Sequence, residues 1–148
     1  YVLKEVDFID GTILINKHKI KNENFDENFF IYFETMDLSK RLIDKNIKLF
    51  ACEELTFEHY GGQSHEKKFD FEAQLSRCWH YNWSKFYYFK KHYGFSLALI
   101  YFIPIIIRIN FRIFLYTIKR DKIKIEKYKV RRSGLFSSIL NKKSFKRI

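Results

Sequence analysis

At 148 residues the chain is long enough to form one ordinary domain around a single hydrophobic core. Its only two cysteines, Cys52 and Cys78, stand in no CxxC spacing, which indicates reduced thiols and a cytosolic setting. Charge is divided sharply along the chain: residues 1–74 carry a net charge of −5, and residues 75–148 carry +16. This division predicts chemistry in the first half and attachment to an anionic partner in the second.

The first elements predicted are short strands over residues 6–8 and 12–15, on either side of Asp10-Gly11. Residues 17–24 are polar and rich in asparagine, which indicates a short helix or a loop. Helical spacing follows from residue 32 or 33 to about residue 46. Apolar and β-branched residues then predict a strand over residues 47–57, which delivers Glu58-His59 and the Gly61-Gly62 turn at its end.

A long amphipathic helix is predicted over residues 71–93. Its core-facing stripe recurs at steps of three and four residues, through Leu75, Trp79, Trp83, Phe86 and Lys90. Glycine is the residue that most often ends a helix, so we expect this one to stop at Gly94.

The segment 95–118 allows three interpretations. Residues 95–107 are almost wholly apolar, but this run is shorter than the roughly 20 residues that cross a bilayer, and Arg108 interrupts it. On a helix, Arg108, Arg112 and Lys119 fall near one face, which favours a helix lying at a membrane surface over a spanning helix or a soluble core helix. Further basic residues extend this surface toward the C-terminus: Arg131, Arg132, Lys142, Lys143, Lys146 and Arg147.

Three blocks of sequence carry a family resemblance. Val6-Asp7-Phe8-Ile9-Asp10-Gly11, then residues 25–41, which include Phe33-Glu34-Thr35-Met36-Asp37, and then His59-Tyr60-Gly61-Gly62-Gln63-Ser64 occur in this order. Together they resemble the C-terminal half of bacterial family 2 glycosyltransferases of the rhamnosyltransferase-like kind. Residues 75–87 and 132–144 resemble the tail of one subgroup, so that the resemblance covers essentially the whole chain.

The resemblance implies an α/β fold of the GT-A type, a Rossmann-like sandwich followed here by long amphipathic helices. Residues 1–70 would form the acceptor-side part of the catalytic domain, and residues 71–148 a basic helical region at a membrane surface. The chain contains no Asp-x-Asp motif and no N-terminal βαβ unit. We therefore expect a fragment, or the second half of a split enzyme, which binds the sugar donor poorly by itself.

Inverting sugar transfer needs a base that removes the proton from the acceptor hydroxyl. The family pattern at the helix start is Glu-Asp-x-Asp, and its usual base position is Thr35 here, which cannot act as a base at neutral pH. The resemblance therefore leaves Glu34 or Asp37 for this role, unless the chain has lost activity. A structural alternative for Asp37 is an ion pair with Arg41, four residues later on the same helix.

The remaining site residues also follow from the resemblance. Substrate-binding positions would be Asp10, Gly11, Asp26, Glu27, Gly61 and Gly62. His59 would lie near the metal or diphosphate, and a divalent metal, Mg or Mn, is expected mainly through the missing N-terminal half. Asp26 and Glu27 alternatively suit a turn or a helix entry, and His59 alternatively suits a structural histidine at a strand end.

The resulting functional prediction is transfer of a sugar from a nucleotide-sugar donor to a lipid-linked or polysaccharide acceptor. We expect this enzyme of cell-surface glycan synthesis to be peripheral on the cytoplasmic face of the plasma membrane. One alternative is a non-catalytic membrane-anchoring or interaction module that has kept the fold. A nucleic-acid binder that uses the basic half is less favoured, although basic charge interleaved with aromatic rings also suits a single strand.

Overall fold

The structure, a computed structural model, describes residues 1–20, 22–58 and 69–144. Its elements are β1 (Leu3–Val6), α1 (Glu34–Asp44), β2 (Leu49–Cys52), α2 (Asp70–Tyr93), α3 (Phe95–Ile118) and α4 (Lys122–Ile139). The described chain is therefore mostly helical and also contains a small sheet, so that the predicted combination of helices and strands is confirmed at this coarse level. It divides into two compact units: the first contains residues 1–20, 22–27 and 33–58, and the second contains residues 28–32 and 69–144.

The first unit is built on a two-stranded antiparallel sheet. β1 pairs with β2 so that Leu3 lies opposite Cys52 and Val6 opposite Leu49. α1 places leucines four residues apart on one face, and this face packs on the sheet because it is the apolar side of the helix. The core consists of Leu38, Leu42 and Leu49, with half-buried Val6, Ile9, Ile20 and Ile47 around it.

The predicted strands are only partly correct. The first strand covers residues 3–6 rather than 6–8, and the predicted strand over 47–57 is reduced to the four residues of β2. The strand predicted over residues 12–15 is wrong, and Leu14 is fully exposed there. A strand needs a neighbour for its backbone hydrogen bonds, and in the described part of the chain only β1 and β2 provide one another with such a neighbour.

The second unit consists of α2, α3 and α4, which pack on one another. The predicted helix over 71–93 is confirmed as α2, which ends where Gly94 adopts a φ of 86° and donates its N–H to the Lys90 carbonyl at 3.0 Å. Its predicted apolar stripe is buried up to Phe86. One core cluster joins Leu75, Trp79 and Trp83 to Val130, and another joins Phe86 to Ala98, Phe102, Ile109 and Leu135.

α3 is a single helix of 24 residues that continues through both Pro104 and Arg108. It is long and apolar enough to cross a membrane, judged by length and composition alone. By this criterion α3 qualifies as a spanning helix although Arg108 interrupts its apolar run, and the preference for a helix at a membrane surface stays a prediction. Only 17% of its most apolar stretch is buried against the rest of the protein, which leaves most of that stretch open.

α4 is held against α2 by close backbone packing and by indole hydrogen bonds. A Cβ at Gly134 would overlap the Trp79 carbonyl and lie 3.0 Å from its carbon atom. The Trp79 indole donates to Ser133 Oγ at 3.3 Å, and the Trp83 indole donates to the Lys142 carbonyl at 2.9 Å. Trp79 thus fixes α4 itself on α2, and Trp83 fixes the segment that follows α4.

Candidate functional site

The backbone that leads into α1 is strained. Phe33, the residue at the N-terminal end of α1, has a φ of 67° and provides no side-chain cap, and Tyr32 before it has a φ of 70°. Bulky residues rarely adopt this left-handed conformation, which costs about 1–3 kcal/mol each and occurs preferentially at functional sites. The first residue after this strained entry is Glu34.

Glu34 lies at the start of α1 with its carboxylate only partly accessible. Its Oε2 atom is shielded from solvent and finds no hydrogen-bond partner among residues 1–20, 22–58 and 69–144. Leaving a buried acceptor unsatisfied costs about 1–3 kcal/mol, so each such group in a folded protein requires an explanation. A group that binds here and donates a hydrogen bond to Oε2 would remove this cost.

Asp37, the other predicted catalytic carboxylate, is fully buried and engaged. Its Oδ2 accepts from Nε of Arg41 at 2.9 Å, which is the i,i+4 pair that the sequence allowed. Arg41 also bonds to Glu23 and, at 2.6 Å, to the carbonyl of Asn24. Asp37 therefore helps to hold the preceding loop against α1, which is a structural role.

Glu23 sits between Arg41 of α1 and Lys45, the residue that follows the helix. Its carboxylate forms ion pairs with Lys45 and Arg41. The hydrogen bond from Lys45 is the main cause that lowers the pKa of Glu23, and the charges of Lys45 and Arg41 lower it further against an opposing effect of burial. Residues 23–24 are thereby fixed along the side of α1.

The loop at Asp10 and Gly11 lies along the first turns of α1. Thr35 Oγ1 donates to Asp10 Oδ1 at 3.3 Å, and the Gly11 N–H donates to the same oxygen at 2.8 Å. The Ile9 N–H donates to Ser39 Oγ at 3.2 Å, one helical turn further on. The structure therefore brings the predicted substrate-binding residues Asp10 and Gly11 beside Thr35, whose hydroxyl acts as a hydrogen-bond donor.

Other predicted site residues are less well defined by the structure. Asp26 is half-buried and Glu27 is exposed in the loop that leads to α1, so that both of their predicted roles stay predictions. His59, Gly61 and Gly62 lie outside the described residues. A cavity of about 500 Å³ in the first unit is lined mainly by aliphatic side chains, and Glu34 is not among its lining residues.

The described ranges do not fit a divalent metal. Within them, no group of three or more histidine, cysteine, aspartate and glutamate side chains is arranged to hold an ion. The predicted Mg or Mn, expected mainly through another half of the enzyme, thus stays a prediction. No chemical step proposed below passes through a metal.

One group of residues was missed by the sequence interpretation. Arg77 and Lys85 of α2, Arg108 of α3 and Arg131 of α4 line a single cavity in the second unit. Arg77, Tyr81 and Lys85 are spaced four residues apart, and this spacing indicates a shared face of α2. The contributions of α3 and α4 have no comparable signal, because they depend on how three helices pack.

The chain matches no protein-family model, no curated protein and no solved structure. The family resemblance of its sequence blocks therefore stays a prediction. Functional conclusions depend on the residues themselves, first of all on Glu34 and the loop beside it.

Proposed function

We propose that this chain is the acceptor-side part of an inverting glycosyltransferase of the GT-A, family 2 kind, with Glu34 as its base. The observation that carries this proposal is the shielded Oε2 of Glu34, which has no hydrogen-bond partner among the described residues. A base needs an acceptor oxygen that no other group already occupies, and a substrate hydroxyl reaches this one at hydrogen-bond distance once the groups that shield it move aside. Asp37 is a weaker candidate, since Arg41 already occupies its carboxylate.

In this reaction, Glu34 takes the proton of an acceptor hydroxyl while the hydroxyl oxygen forms a bond to the anomeric carbon of the donor sugar. The bond between that carbon and the diphosphate breaks, and its electron pair leaves with the nucleoside diphosphate. Attack opposite to the leaving group inverts the anomeric configuration. The donor is a nucleotide sugar, and the acceptor is a glycan or a lipid-linked saccharide.

Thr35 and Asp10 support Glu34 in this proposal. The hydrogen bond from Thr35 to Asp10 joins the loop 9–11 to the first turn of α1, directly beside Glu34. The Ile9 and Gly11 N–H groups are engaged in hydrogen bonds to Ser39 and Asp10, so the role of this loop in the proposal is to fix the first turn of α1 that carries the base. Threonine at position 35 thus replaces a carboxylate with a positioning contact.

Substitution of Glu34 by glutamine tests the assignment. In membranes that contain the full-length protein, Glu34→Gln should lower sugar transfer by about 10²- to 10⁴-fold, which is the usual contribution of a positioned base. Binding of the nucleotide sugar should stay unchanged, because the glutamine side chain has the same size. The readouts are transfer of labelled sugar and, separately, binding of the donor.

A matched control exists on the same helix. Asp44 lies at the far end of α1 and pairs with Lys40 at 3.2 Å, so Asp44→Asn removes one carboxylate away from the site. This variant should keep full activity. Unchanged turnover of Glu34→Gln would rule out Glu34 as the base.

The second candidate function is a membrane-anchoring module without catalysis. It is favoured by the outward face of α3, where large apolar side chains are more than half exposed: Leu97, Ile100, Ile107, Phe111, Phe114 and Ile118. A lipid bilayer would cover such a face, and basic flanks favour its cytoplasmic side. If the chain is the transferase proposed above, we infer that the same face of α3 holds it on the membrane surface as a peripheral protein. Vesicle binding without any dependence of transfer on Glu34 would favour the anchoring function alone.

A further inference from the structure

The second unit contains a cavity of about 640 Å³ among α2, α3 and α4. Each of the three helices contributes a cation to its lining: Arg77 and Lys85 come from α2, Arg108 from α3 and Arg131 from α4. Arg77 and Arg108 are exposed, and Lys85 and Arg131 are half-buried. No carboxylate is among the lining residues described.

These four cations have no acidic partner in the part of the chain that the structure describes. Two of them lie over aromatic rings: the Lys85 ammonium is 6.0 Å from the Phe102 ring centre, and the Arg131 guanidinium is 5.0 Å from that of Tyr128. Tyr128 holds the Arg131 fork in place through a cation–π contact without neutralising it. Like charges that line one cavity repel one another, and a bound anion would offset this repulsion.

The shape and the remaining lining of the cavity fit a polar ligand of moderate size. Ligand sites in proteins usually measure about 300–1,000 Å³, a range that includes this cavity. The rings of Tyr32 and Tyr81 meet edge to face at 5.7 Å in the lining, and their hydroxyls add neutral hydrogen-bonding groups. The planar guanidinium of arginine donates paired N–H groups to phosphate oxygens, which makes arginine clusters the usual recognition element for phosphate.

We propose that this cavity is a binding site for a phosphate-bearing anion, a phosphomonoester or a diphosphate. The site belongs to the second unit, whereas Glu34 belongs to the first, and its existence does not depend on sugar transfer. The phosphate comes either from a lipid headgroup or from a soluble compound. The chemistry of recognition is the same in both cases, and the experiment separates them.

Pyrophosphate is the soluble probe. Titration calorimetry of the full chain should detect binding that the double variant Arg77→Gln with Arg131→Gln weakens at least about tenfold, because two charge-assisted contacts are lost. The matched control is Arg120→Gln with Lys122→Gln, which removes the same charge from the connection between α3 and α4, outside the cavity lining. The control should change the affinity by about twofold or less, since exposed charges at a distance are screened by salt.

Vesicle flotation is the lipid arm. The protein should float with phosphatidylcholine vesicles that contain phosphatidic acid more than with phosphatidylcholine alone. If the cavity variant loses this difference and pyrophosphate competes with it, the ligand is a headgroup phosphate. If pyrophosphate binding depends on the cavity and flotation does not, the ligand is a soluble phosphate compound.

Three results would overturn the proposal. The first is that the cavity and control variants lose pyrophosphate affinity equally. The second is that the protein binds neither pyrophosphate nor vesicles with phosphatidic acid. The third is that the protein retains single-stranded RNA through the cavity cations and pyrophosphate does not displace it. Circular dichroism of each variant checks that the helices persist. The same titrations on Glu34→Gln should be unchanged, so that failure of the catalytic proposal and failure of this one are distinguishable.

Discussion

Glu34 and Asp37 are carboxylates three residues apart on one helix, yet their surroundings differ. Arg41 binds Asp37 at 2.9 Å, whereas Oε2 of Glu34 is shielded and lacks a partner among the described residues. The pair of Asp37 with Arg41 could be predicted from the sequence because i,i+4 spacing is a local property of a helix. The shielding of Glu34 could not be predicted, since it depends on how the chain folds around the start of α1.

Asp37→Asn should destabilise α1 by about 1–3 kcal/mol, because the buried side chain loses its charge-assisted contact with Arg41, which keeps Glu23 as a charge partner. Hydrogen exchange of the α1 amides measures the effect as a lower free energy of opening. Asp44→Asn, which disrupts an exposed pair with Lys40, should change the same quantity by about 0.5 kcal/mol or less. Equal protection in the two variants would contradict the structural role of Asp37.

Glu23 predicts a dependence of stability on pH. Its pKa in the folded protein is lowered from the ordinary value of 4.5, mainly by the hydrogen bond from Lys45. The carboxylate therefore contributes stability above pH 4.5, and this contribution is lost as the pH falls through the lowered pKa. Glu23→Gln should lower the free energy of opening of α1 by about 1 kcal/mol near neutral pH.

The difference between the wild type and Glu23→Gln should be smaller at a pH below 4.5 than near neutral pH, because the wild-type carboxyl is protonated as the pH falls through its lowered pKa. Hydrogen exchange at the two pH values, corrected for the intrinsic exchange rate, measures it. A difference that stays constant with pH would show that the charge of Glu23 does not contribute.

At the scale of the elements, the packing of α4 on α2 depends on a single glycine. A side chain at Gly134 would overlap the backbone of Trp79, so that the two helices can approach closely only without a Cβ. The bounds of α2 and its buried stripe follow from periodicity and from Gly94. The requirement for glycine at position 134 does not follow from periodicity, because Trp79, whose backbone it contacts, lies 55 positions away in the chain.

Gly134→Ala should destabilise the second unit by about 1–3 kcal/mol through overpacking. At an unhindered helix position, alanine would instead stabilise the helix by about 1 kcal/mol relative to glycine. The sign of the change in unfolding free energy therefore shows whether the close contact with Trp79 exists. Urea unfolding followed by tryptophan fluorescence measures it, since both tryptophans are in α2. Lys129→Ala at an exposed position of α4 is the control and should have little effect.

At the scale of the whole molecule, an acidic first half and a basic second half are combined with an apolar face of α3 that residues 1–20, 22–58 and 69–144 leave exposed. The charges and the composition are evident from the sequence. Which side of α3 stays open is decided by α2 and α4, which bury Ala98, Phe102 and Ile109. The opposite side carries Ile107 and Phe114, both more than 60% exposed.

Ile107→Gln with Phe114→Gln should reduce binding to phosphatidylcholine vesicles by at least about tenfold, because burial of each of these side chains in lipid contributes about 1.5–3 kcal/mol. The matched control is Ile123→Gln with Leu140→Gln, which removes two comparably exposed side chains from the α4 region. Flotation measures both variants. Equal losses would indicate that the exposed face of α3 is not the membrane contact.

The sequence by itself determined the local features of this protein: the extent of α2, the start of α1, the pairing of Asp37 with Arg41 and the division of charge. Such features depend on periodicity, helix ends and short spacings, which act between near neighbours in the chain. Only the tertiary structure decided which carboxylate oxygen is shielded without a partner, which cations line one cavity and which face of α3 the described residues leave exposed. These depend on contacts between distant residues, because burial and pairing are set by the packing of whole elements.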